Sequence, residues 1–209
     1  HLAQWQTIFE KILNHRPYYL MAKASDKVVG IFPLVQVKSR LFGNALISVP
    51  FAVYGGAIAD NEAAHNALSE RAVELANELK VDYVEVREQQ RSEFASPDWQ
   101  EKNLYVTFQK ELFDNEEENF KAIPRKQRAV VRKAIEYGLT SEWDTNADRF
   151  YAMYSESVRN LGTPVLSRKY YQSLMDTFGE KCKVLTILDK GVPVSSVLNF
   201  YFKDQVLPF

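Results

Sequence analysis

Between Lys121 and Lys133 stand six cations and no acid: Lys121, Arg125, Lys126, Arg128, Arg132 and Lys133. On a helix beginning at Pro124, Arg125, Arg128 and Arg132 fall at i, i+3 and i+7 along one edge, with Lys126 and Lys133 beside them. Val130, Val131, Ala134 and Ile135 point the other way. Cations in a first turn oppose the helix dipole at a cost of about 0.3–1 kcal/mol each, so stability alone would place acids there. Two readings stand. The edge is either a solvated face partly neutralised by Glu116, Glu117 and Glu118, or a seat for an anionic ligand, a phosphate foremost.

Three other places could do chemistry. On a strand Val81–Arg87, Tyr83, Glu85 and Arg87 share one face, so Glu85 is either a general base in a cleft or the structural partner of Arg87. Tyr54-Gly55-Gly56 ends a strand and precedes a helix; it is a turn or a ligand-contacting loop. Gly162-Thr163 joins two helices, either as a simple turn or as a binding element. Arg40-Leu41-Phe42-Gly43-Asn44-Ala45 fits the coenzyme A pattern R-x-x-G-x-A, but it leads into a strand, where its amides would not converge on a phosphate. One cysteine and the scattered His1, His15 and His65 give neither a disulfide nor a zinc cage. Cys182 reads as a buried inert thiol.

The elements that must carry these residues follow from periodicity. Residues 2–14 read as an amphipathic helix, Tyr18–Ala24 and Val28–Lys38 as a hairpin, and Leu46–Val53 as a third strand. A helix capped by Asp60 or Asn61 runs to Leu79, and Val81–Arg87 is a fourth strand. Near Phe113 a new unit starts, with Asp114 capping a short helix and Pro124 opening the basic one. Helices at 148–160 and 168–178 and a second hairpin, Lys183–Leu188 with Val192–Phe202, complete it. The division is therefore 1–112 and 113–209.

The first unit's order, α-β-β-β-α-β with a glycine-bearing loop after the third strand, is that of the acetyltransferase fold called GNAT. The second hairpin looks like a copy of the first, with Asp26-Lys27 laid over Asp189-Lys190. The expected class is α+β: tandem GNAT-like lobes, with mixed sheets flanked by helices and the second lobe truncated. A complete second copy would reach roughly 65 residues past Phe209.

Composition sets the outer bounds. The 209 residues are 46% hydrophobic and 13% aromatic, which excludes disorder as the main state. A formal net charge of −1 means that affinity for polyanions must come from a local patch. The longest apolar stretch, Ala45 to Ala59, is interrupted by Pro50, Gly55 and Gly56 and falls short of the ~20 residues of a membrane helix. No integral membrane segment and a cytoplasmic location are expected.

Several segments together resemble the FemAB-like proteins, nearest to those of bacterial PEP-CTERM/exosortase systems. They are His15-Arg16-Pro17-Tyr18-Tyr19-Leu20, Gly30-Ile31-Phe32-Pro33-Leu34-Val35, Val37 through Gly43, and Ser48-Val49-Pro50-Phe51 through Gly56. Pro124-Arg125-Lys126-Gln127-Arg128, Val131-Arg132-Lys133 and Leu161-Gly162-Thr163-Pro164-Val165 extend the match. The resemblance implies a transferase that moves an acyl or aminoacyl group to an amine of a cell-envelope precursor or exopolysaccharide-related substrate. It implies no bound cofactor, and aminoacyl-tRNA or acyl-CoA as donor. Arg125, Lys126, Arg128, Arg132 and Lys133 would bind phosphate of donor or acceptor, tRNA included. Tyr54, Gly55 and Gly56 would line the first cleft, and Gly162 and Thr163 would contact substrate. Two other readings are an acyl-CoA-dependent acetyltransferase of a small molecule and a non-catalytic polyanion-binding module.

Overall fold

The computed structural model describes residues 2–41, 43–89, 92–93, 99–102 and 104–209. Phe42, part of the Val37–Gly43 motif, lies outside them. The chain divides into two compact units, His1–Thr107 and Phe108–Phe209. Residues 104–112 take no regular structure, and Tyr105 and Phe108 are exposed.

In the first unit the amphipathic start is α1 (Trp5–Thr7) running into a π-helical turn, Ile8–Ile12, closed by Leu13 N–H donating to Ile8 O. This is shorter and looser than the helix expected over 2–14. The hairpin β1 (Arg16–Ala24) and β2 (Lys27–Ser39) leads to β3 (Gly43–Ile47), and β3 pairs in parallel with β5 (Tyr83–Glu85). Two-residue β4 (Ile58–Ala59) pairs with Gly30 and Ile31 of β2. Between β4 and β5 lies α2 (Glu62–Leu79), capped by Asn61, whose Oδ1 accepts from Ala64 N–H.

α2 covers one face of the sheet, where Phe32, Leu34 and Leu46 pack on Leu68, Ala72 and Leu75. On the other face Phe9 of the π-helical turn packs with Val35 and Val49. Fully burying such side chains contributes about 1.5–3 kcal/mol each.

The second unit opens with α3 (Glu116–Ala122). Its N-cap is Asn115 rather than Asp114, with Oδ1 accepting from Glu117 and Glu118 N–H. Then come α4 (Arg125–Glu136), β6 (Thr140–Asp144), α5 (Asp148–Asn160) and α6 (Arg168–Phe178). An antiparallel sheet β6-β7-β8-β9 holds β7 (Cys182–Asp189), β8 (Val192–Phe202) and β9 (Gln205–Pro208). Sequence periodicity missed β6: Thr-Ser-Glu-Trp-Asp carries one large apolar side chain, as suits an exposed edge strand.

One polar network ties β6 to α5 and the sheet interior. Arg149 clamps Asp144 and donates to Glu142 at 2.8 Å. The Asp144 side chain, only 4% exposed, also accepts from the Thr186 hydroxyl at 2.8 Å, which meets Ser196 Oγ at 2.9 Å.

Both hairpins turn through two residues and slip register just before the turn. Ala22 faces Gly30 while Lys23 faces Val28; Ile187 faces Ser195 while Leu188 faces Pro193. Matching the two slips puts Ala24, not Asp26, opposite Asp189. The sequence overlay was therefore two residues out of step, because it matched turn letters where the bulge sets the frame.

Candidate functional site

The first unit places its candidates at the carboxyl ends of β3 and β5. Strand β3 stops at Ile47, short of the expected Val53, because the next residues are claimed elsewhere. Buried Ser48 Oγ accepts from Arg87 N–H at 2.8 Å, and Ser48 N–H donates to Glu85 O. Val49 (φ 46°) and Phe51 (φ 62°) then take left-handed backbone, which is costly for a β-branched or bulky residue. Val49 is held in the Phe9–Val35 cluster, and Phe51 stacks on His15 at 5.6 Å. Burial lowers the pKa of His15.

Tyr54, Gly55 and Gly56 lie in this same loop, so the structure brings them beside Glu85 and Arg87. Gly55 N–H donates to Arg87 O at 2.7 Å, and a Cβ on Gly55 would run into the Val49 side chain. The position thus requires glycine for close approach within the fold. Tyr54 Oη meets Thr107 Oγ1. Glu85 Oε1 accepts from Arg87 Nε at 2.6 Å, with both side chains 38% exposed. The pairing with Arg87 is the structural alternative stated for Glu85. It leaves Oε2 outside the contact.

The second unit carries the cations. Helix α4 starts after Pro124 with no side-chain cap, no acid in its first turn and no buried residue. Lys121 is engaged by Glu117 at 2.7 Å, and the Arg132 guanidinium lies over the Phe120 ring at 5.2 Å. Among the described residues, Arg125, Lys126, Arg128 and Lys133 have no acidic partner. The acids Glu116, Glu117 and Glu118 face the α3 N-terminus, where they favour the dipole of that helix, and neutralise only Lys121. Arg128 Nε is buried and, among the described residues, has no acceptor. An unmet buried donor on a charged group costs more than the about 1–3 kcal/mol of a neutral one.

Gly162 and Thr163 end α5. Gly162 (φ 74°) donates to Arg159 O and Thr163 N–H to Val158 O, the paired bonds of a Schellman stop. The turn reading therefore explains the glycine. The same stop also builds one wall of an open groove of about 870 Å3, formed by residues 162–165 and by Ala152, Ser155, Glu156 and Arg159 of α5. Sequence reasoning had no signal for that α5 face, whose residues are small or charged.

No family model matches the chain, and no curated protein matches it. Among solved structures, the crystal structure of FemX is similar over 89% of this chain and 51% of that one, with a TM-score of 0.53 and 18% sequence identity. The fold resembles that of FemX. It is α+β, with two sheets and flanking helices. The chain spans about half the length of FemX. Among the described residues, no helix is long and apolar enough to cross a membrane.

Proposed function

We propose that this protein is a FemAB-type transferase that moves an acyl or aminoacyl group onto an amine of a cell-envelope or exopolysaccharide-related precursor. In this reading the two units are tandem GNAT-like lobes, a view supported by their shared register slip. The finer kinship to PEP-CTERM systems rests on the motif resemblance alone, and the protein would work in the cytoplasm. The observation that carries the proposal is the unmatched charge of α4. Among the described residues, Arg125, Lys126, Arg128 and Lys133 have no acid partner, and Arg128 Nε lacks an acceptor. These groups would hold a phosphate of the donor or acceptor.

The reaction needs little else from side chains. The amine nitrogen attacks the carbonyl carbon of an ester or thioester, the C–O or C–S bond breaks, and the amine's lost proton ends on the leaving oxygen or sulfur. Binding energy at the phosphate can be spent on orienting the two reactants. A base role for Glu85, through Oε2, is a separate proposal. Glu85→Gln would then lower transfer at least about tenfold while leaving the melting temperature unchanged.

Transfer is tested with labelled acyl-CoA and with charged tRNA, each with amine-bearing precursors, with and without ribonuclease. Amide product sensitive to ribonuclease identifies an aminoacyl-tRNA donor, and product with acyl-CoA the other donor. Salt-sensitive nucleic-acid binding with no product under either condition would leave only the non-catalytic polyanion module.

A further inference from the structure

We propose that the groove beside α5 binds a zwitterionic amine, with Glu156 taking the ammonium and Arg159 the carboxylate of an amino acid or short peptide. The lining has one charge of each sign, and the two are barely committed to each other. Their closest approach is 4.0 Å, with Arg159 77% and Glu156 62% exposed. The guanidinium of Arg149 in the same unit is by contrast clamped between two carboxylates. A loosely paired Glu–Arg couple on one helix face can open to admit a ligand ammonium and carboxylate, each gaining a charge-assisted hydrogen bond.

The remaining wall favours the same class. Residues 163–166 take no regular structure after the Schellman stop, and Pro164 has no N–H to offer. Val165 N–H and the carbonyls of Thr163 and Pro164 have no hydrogen-bond partner among the described residues. Such a row of free backbone groups suits an amide-bearing ligand. Among the described residues no aromatic ring lines the groove, so a base or sugar finds nothing to stack on, and a phosphate would meet Glu156. That this ligand is the acceptor of the transfer rests on the function proposed above; the binding itself does not.

The test is a titration of isotope-labelled protein with triglycine, N-acetyl-triglycine and triglycinamide, followed by amide shifts. Millimolar triglycine is expected to move resonances across 152–165, and each blocked peptide to bind about tenfold more weakly. Glu156→Gln should erase the preference for the free ammonium and Arg159→Gln that for the free carboxylate. Both side chains are largely exposed, so the variants remain folded. Equal affinity for the blocked peptides, shifts elsewhere, or no response at millimolar concentration overturns the proposal. Replacing Arg125, Arg128 and Arg132 by Ala should leave this titration unchanged, so groove binding without transfer would count against the proposed function alone.

Discussion

The two hairpins share turn length and bulge, yet they differ in which side chains they bury nearest the turn. In the first, Phe32 and Leu34 sit deep beneath α2, while Met21 on the reverse is 56% exposed. At the matching register of the second hairpin two positions differ most. Val197, the counterpart of Phe32, is only half-buried, while Thr186, the counterpart of Met21, is fully buried. The covering helix explains the difference. α2 follows its hairpin, whereas α5 and α6 precede theirs, contact β7 and β8, and bury Phe150, Tyr171, Leu174 and Phe178. A hairpin frame thus fixes register, and the neighbouring helix decides which alternate residues become core.

Substitutions at matched positions should break the symmetry most visibly. Phe32→Ala should cost about 3–5 kcal/mol in urea unfolding, and its counterpart Val197→Ala less than about 1 kcal/mol. Equal losses would mean that the two faces are buried alike. Next come the two ion pairs. Asp144→Ala strips a buried carboxylate from Arg149 and Thr186 and should cost about 2–3 kcal/mol. Glu85→Ala breaks a pair that is 38% exposed on each side and should cost less than about 1 kcal/mol.

The smaller expectations concern single groups. Burial pushes the Cys182 thiol up to about 12, so the native protein should resist a thiol reagent at pH 8 and react only as the second unit opens. Prompt labelling would contradict the buried strand position. Burial lowers the pKa of His15 beneath its ordinary value near 6.5, so the unfolded chain takes up the proton first. The contribution of His15 is therefore whole above about pH 6.5 and erodes as the pH falls from there through the folded-state value. His15→Phe should flatten that slope slightly, as read by melting temperature against pH.

Much of this architecture is legible in the residues, because hairpins, amphipathic helices, the cap at Asn61 and the helix start at Pro124 are local patterns. What escaped the sequence depends on distant partners. β3 ends at Ile47 because Ser48 is taken by Arg87, far along the chain. β6 and its Asp144–Thr186 bond span two strands with no shared local signal. At the candidate site, the cation edge and the terminating role of Gly162 could be read from spacing. The Glu156–Arg159 couple could not, because an i, i+3 pair on an exposed face looks like any solvated helix.

The central claim is that the α4 cations hold a phosphate, and titration with pyrophosphate tests it most directly, by calorimetry on the protein and on its R125A/R128A/R132A variant. Helix α4 buries no residue, so the variant should keep its melting temperature. The account predicts salt-sensitive binding to the native protein and none to the variant. Equal binding by both, or no binding by either, would contradict it.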